Sequence, residues 1–171
     1  MEAGPKPRPV DALVRRSPAV LGRPRERRDL EVEGLWFTLA RIPWRTLAFV
    51  PADDSGSAIE IAAALADVGR RLRAGPVTFL LLSGTLDFAA AGKIVQAMGG
   101  RRTPAGPPEE RVEGRLLIAI PSVVQEPLGL AVTEVADGIV LCVKQGRSKV
   151  RQAQRTVELV GRDRIIGALM L

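Results

Sequence analysis

Residues 49–69 read FVPADDSGSAIEIAAALADVG, and this stretch decides the fold. An apolar strand end runs into a turn of proline, small and acidic residues, and then into an alanine-rich helix. That is the layout of a phosphate-binding loop. Such a loop works because glycines let backbone N–H groups curl round the phosphates, a lysine meets their charge and a Ser/Thr hydroxyl holds magnesium. Residues 51–60 have one glycine, Gly56, and neither lysine nor arginine. Asp53 and Asp54 would repel a triphosphate, and Ile59 and Glu60 stand where the magnesium hydroxyl belongs. The chemistry left is that of a helix N-terminus, with Asp53, Asp54, Ser55 or Ser57 expected to cap it and acidic side chains matching its positive end.

Working outward, short apolar runs alternate with helical patterns. Buried strands are expected at 45–50 (RTLAFV), 77–82 (VTFLLL), 115–120 (RLLIAI), 138–143 (GIVLCV) and 164–171 (RIIGALML). Helices are expected at 31–42, 57–73, 87–98, 126–135 and 148–160. Their inward faces are read as Leu35, Trp36, Leu39 and Ala40 in the first, and Ile59, Ala62, Ala63, Ala66 and Leu72 in the second. In the last, Val150, Ala153, Val157 and Val160 share a face. Strands that are apolar throughout, separated by helices, give a mostly parallel sheet covered on both faces, a three-layer α/β sandwich of about five strands. Ligands of such folds sit at the carboxyl ends of the strands, so the loops that matter are 51–57, 83–87, 121–125 and 144–148.

Residues 1–30 hold five prolines, and their eight Lys or Arg face four Asp or Glu. They read as a flexible basic arm carrying Lys6, Arg8, Arg15, Arg16, Arg23, Arg25, Arg27 and Arg28, followed by one domain over 31–171. The net charge is +6. No aromatic residues interleave with the basic ones, which argues against specific nucleic-acid binding. The chain has no His, which removes the commonest general base. Its single cysteine, Cys142, lies within an apolar strand and reads as a buried, inert thiol. No run reaches the ~18 apolar residues that span a bilayer, and the first thirty residues contain no apolar signal-peptide core. A cytoplasmic location is the expectation.

From Trp44 to Leu171 the chain resembles the bacterial tyrosine kinases of capsule and exopolysaccharide export, within the ParA/MinD-like P-loop ATPases. Their phosphate loop and helix read TSAxPGEGKSTxAxNLAxxLAxxG. The NLA of that pattern falls on Ala64, Leu65 and Ala66, and its closing glycine near Gly69. The glycine before the lysine falls on Ser57, the lysine on Ala58, and the Ser-Thr pair on Ile59 and Glu60. The family's Asp-x-Asp falls on Ser83, Gly84 and Thr85. Its IIDTPP falls on residues 117–122, which turns the metal-linked aspartate into Ala119. The block ADGIVLCVKQGRSKVRQAQRTVELV at 136–160 is similar to the family's ADGVLLVVRxGxT block. The last strand resembles GVVLN, with Gly167 on its glycine and Leu171 on the adenine-reading asparagine.

The resemblance thus keeps the structural blocks in order and replaces the positions that would touch nucleotide or metal. The family's own substrate is a C-terminal tyrosine cluster, and this chain has no tyrosine. The family's Glu-xx-Arg-xx-Arg assembly signature falls on Glu33, Trp36 and Leu39. What the resemblance implies is a P-loop-like fold, shortened between the second and third strands, that has become a non-catalytic pseudo-kinase. ATP and magnesium would enter only if the vestigial loop still binds them. The implied partners are a membrane chain-length regulator, an active paralogous kinase or a second copy of the chain. Trp36, Leu39, Arg23, Arg25, Arg27 and Arg28 are the candidate contacts, and the arm could add peripheral attraction to the inner membrane. Two other readings stand beside this one. The first is a ParA/MinD-like accessory in positioning or motility. The second is a hydrolase or metal site on Asp53 and Asp54 with Glu60 nearby.

Overall fold

The computed structural model describes residues 24–54, 57–82 and 114–171. In chain order the elements are α1 (Pro24–Ala40), β1 (Thr46–Pro51), α2 (Ile59–Arg71), β2 (Val77–Leu81), β3 (Arg115–Ala119), α3 (Gly129–Val135), β4 (Gly138–Val143), α4 (Val150–Val160) and β5 (Ile165–Met170). A 3-10 turn, Arg162–Arg164, leads into β5. The strands form one sheet in the order β2-β3-β1-β4-β5. All four neighbouring pairs are parallel. The expected α/β sandwich is therefore the fold, and its strands begin and end within one or two residues of the expected positions.

The pleat explains why the strands read as continuous apolar runs. Successive side chains of a strand point to opposite faces, and both faces are covered here. Leu47 and Phe49 of β1 join Trp36 and Leu39 of α1, Leu65 of α2, and Leu117 and Val140 on one side. Ala48 and Val50 join Ile118, Ile139, Val132 of α3 and Val160 of α4 on the other. Leu47, Ala48, Phe49 and Val50 are all fully buried, so neither face of β1 has room for a polar residue.

Helix α1 begins at Pro24, so residues 24–30 belong to it rather than to the arm expected to reach residue 30. Proline suits a first helical turn, where its missing N–H costs nothing. Trp36 anchors the helix. Its ring meets that of Trp44 edge-on, with centroids 6.0 Å apart, and Trp44 Nε1–H donates to the Leu39 carbonyl at 2.8 Å. Helix α2 comes so close that a Cβ on Gly69 would stand 2.7 Å from Trp36 Cζ3.

The inward faces differ in detail from expectation. On α2 they are Ala62, Leu65, Ala66, Val68 and Gly69, while Ile59 and Leu72 are exposed. On α4 the buried residues are Thr156 and Val160, and Val150 is 73% exposed. The expected helix at 87–98 lies outside the described residues.

Candidate functional site

The crossover logic of the sheet locates the crevice. From β1 the chain crosses over β3 to reach β2, passing through α2 on one face. From β3 and β4 it crosses the other way, through α3 and α4 on the opposite face. The carboxyl end of β1 is therefore the topological switch point, where open α/β sheets bind ligands.

Here the chain closes that point on itself. Ala52 N–H donates to the Cys142 carbonyl at 2.7 Å. The Thr156 hydroxyl, fully buried on α4, donates to the Ala52 carbonyl at 2.9 Å. Asp53 is fully buried, and its Oδ2 accepts the backbone N–H of Lys149 at 2.6 Å. Lys149 is the N-cap residue of α4, with extended dihedrals. The Asp53 carboxylate thus sits against the positive end of α4, where charge and helix dipole attract. Next to it, Ser148 Oγ accepts the Lys144 N–H at 2.9 Å and tightens the β4–α4 loop.

The capping expectation is met in part, by Ser57. Asp53 serves the start of α4, 96 residues away in sequence. The N-cap of α2 is Ala58, which makes no side-chain cap bond. Ser57 Oγ accepts the Ile59 N–H at 3.3 Å. Asp54 is exposed, so the two adjacent aspartates occupy different settings and do not converge. Among the described residues no group of three or more His, Cys, Asp or Glu is arranged to hold a metal.

Ala58, where the resemblance puts the lysine, is 1% exposed within the core shared by α2 and β1. Ala119, where it puts the metal-linked aspartate, is fully buried opposite Phe49. The Glu60 side is exposed and Ile59 is 38% exposed. Ser55, Gly56, Ser83, Thr85 and Arg23 lie outside the described residues. Arg25, Arg27 and Arg28 fall in the first turns of α1. Trp36 and Leu39 are 2% and 1% exposed, so these two candidate contacts are filled by the core and are not on the surface.

The described residues do not fit magnesium and ATP. Asp53 is turned inward, and the positions where the resemblance would put a lysine and a metal-linked aspartate are the buried alanines Ala58 and Ala119. The cations at this edge lie instead on the β4–α4 loop, as Lys144, Arg147 and Lys149. The run KQGRSK at 144–149 carried that signal in the sequence. Ser122, in the loop after β3, is 5% exposed, and its Oγ has no hydrogen-bond partner among the described residues. Behind the loop, burial pushes the Cys142 thiol up from 9.0 to about 12, which makes it a packing group rather than a nucleophile. No helix among the described residues is long and apolar enough to cross a membrane. No protein-family model matches the chain, and no curated protein matches it.

Proposed function

We propose that the chain is a non-catalytic, protein-binding pseudo-kinase: a P-loop-like scaffold that works as an accessory or regulatory component of an exopolysaccharide synthesis or export system. The observation that carries this reading is the bond from Lys149 N–H to buried Asp53. The chain's own carboxylate occupies the positive end of α4 beside the end of β1, and the tie from Thr156 to Ala52 holds the loop in that position. The apolar, buried Ala58 and Ala119 support the same reading. No nucleotide or metal is needed for the function.

The partners we propose are the cytoplasmic end of a membrane chain-length regulator, or an active kinase of the same system. Peripheral contact with the inner membrane would come through the basic residues that precede α1. Co-purification tests the assignment. The tagged full-length chain is expected to retain a chain-length regulator or a paralogous kinase encoded in the same genome. Retention of neither, with both partners expressed, overturns the polysaccharide assignment. Thermal melts with and without Mg·ATP test the non-catalytic part, for which an unchanged Tm is expected.

A further inference from the structure

The amino edge of the sheet, opposite the closed switch point, carries a second arrangement. Arg115 opens β3, and its guanidinium carbon lies 4.8 Å from the Trp44 ring centroid and 5.4 Å from that of Trp36. Both rings are buried and fixed against each other. The guanidinium is therefore held on a rigid platform. Arg45 is adjacent, because its carbonyl accepts the Leu116 N–H at 2.6 Å. Arg41 lies four residues earlier, just past the end of α1. Arg41 and Arg45 are exposed, and Arg115 is half-buried. Among the described residues none of these three guanidinium groups has an ion pair or hydrogen bond.

The nearby carboxylates are otherwise engaged. Asp137 Oδ2 accepts the backbone N–H groups of Arg45 and Thr46, at 2.7 and 2.9 Å, and Glu33 pairs with Arg71 at 3.6 Å. One turn before Arg41 on α1, Phe37 is 58% exposed.

We infer that this edge is a docking surface for an acidic protein segment, whose carboxylates pair with Arg115, Arg45 and Arg41 while an apolar side chain covers Phe37. This rests on the protein-binding reading above and names the chemistry of the partner. A guanidinium fork matches a carboxylate with two parallel bonds. Stacking on the indoles removes much of the rotamer entropy that such a pair normally costs. Nucleic acid is disfavoured because both tryptophans are buried and offer no face for a base to stack on.

The chain's two tryptophans both lie beneath Arg115, so tryptophan emission reports on the site directly. The full-length chain is titrated with a deca-glutamate peptide at low salt. A saturable change in emission is expected, weakened about tenfold or more in Arg115→Gln and about two- to fivefold in Arg45→Gln or Arg41→Gln. It should weaken as salt is raised. The exposed Arg41 and Arg45 variants keep the test sound if Arg115→Gln fails to fold. No saturable change, or wild-type affinity in all three variants, overturns the inference. A response to phosphatidylserine vesicles or inorganic phosphate without one to the peptide overturns it as well. Binding of Mg·ATP would instead overturn the non-catalytic reading, so the two failures are separable.

Discussion

At the scale of single residues, two buried groups with opposite chemistry lie near the carboxyl ends of β1 and β4. Asp53 is polar and satisfied; Cys142 is apolar in effect. Replacing Asp53 with Ala would leave the part-buried Lys149 N–H without its charged partner. We expect a loss of about 2–3 kcal/mol, read by urea unfolding, and faster amide exchange in the first turn of α4. Asn, which keeps an acceptor but not the charge, is expected to cost less.

Cys142 predicts a pH dependence. Its thiol stays neutral in the fold to higher pH than in the unfolded chain. Its contribution to stability is therefore full below pH 9.0 and is lost as pH rises toward about 12. The slope is about 1.4 kcal/mol per pH unit. The stability gap between wild type and Cys142→Ala should accordingly shrink above pH 9.0, and a thiol reagent should label the native protein only as fast as it opens. A gap that holds constant with pH, together with rapid native labelling, would place the thiol in contact with water.

At the scale of elements, the α1–α2 contact sets one effect against another. Gly to Ala inside a helix ordinarily gains about 1 kcal/mol. At Gly69 the added methyl would overlap the Trp36 ring, and overpacking of that kind costs about 1–3 kcal/mol. We expect the steric effect to win, with Gly69→Ala less stable than wild type and its tryptophan emission shifted to the red. A more stable variant would mean that α1 rides loosely on α2.

The elements themselves were legible in the sequence for a physical reason. A parallel strand buried on both faces has nowhere to put a polar side chain, so RTLAFV and GIVLCV announce themselves. Helix faces were less legible. Val150 looked like an inward residue of α4 and is exposed, whereas Thr156 looked polar and is buried, because its hydroxyl has the Ala52 carbonyl to bond. Local propensity cannot report a partner supplied from 104 residues away. The same holds for Asp53 and Lys149, and for Arg115 on the two tryptophans. Each joins residues that only the crossover topology brings together.

At the scale of the molecule, the sheet order decides where function can lie. The switch point at β1 is where the fold offers a ligand site, and there the chain bonds to itself through Ala52, Asp53, Thr156 and Lys149. At the opposite edge the Arg115 guanidinium rests on the two tryptophan rings.

If the proposed pseudo-kinase reading holds, the switch point takes no nucleotide. Isothermal titration of the full-length chain with ATP in excess magnesium tests it most directly. The account predicts no binding heat up to millimolar nucleotide, with Asp53→Ala behaving the same. Saturable binding in the micromolar range would contradict it.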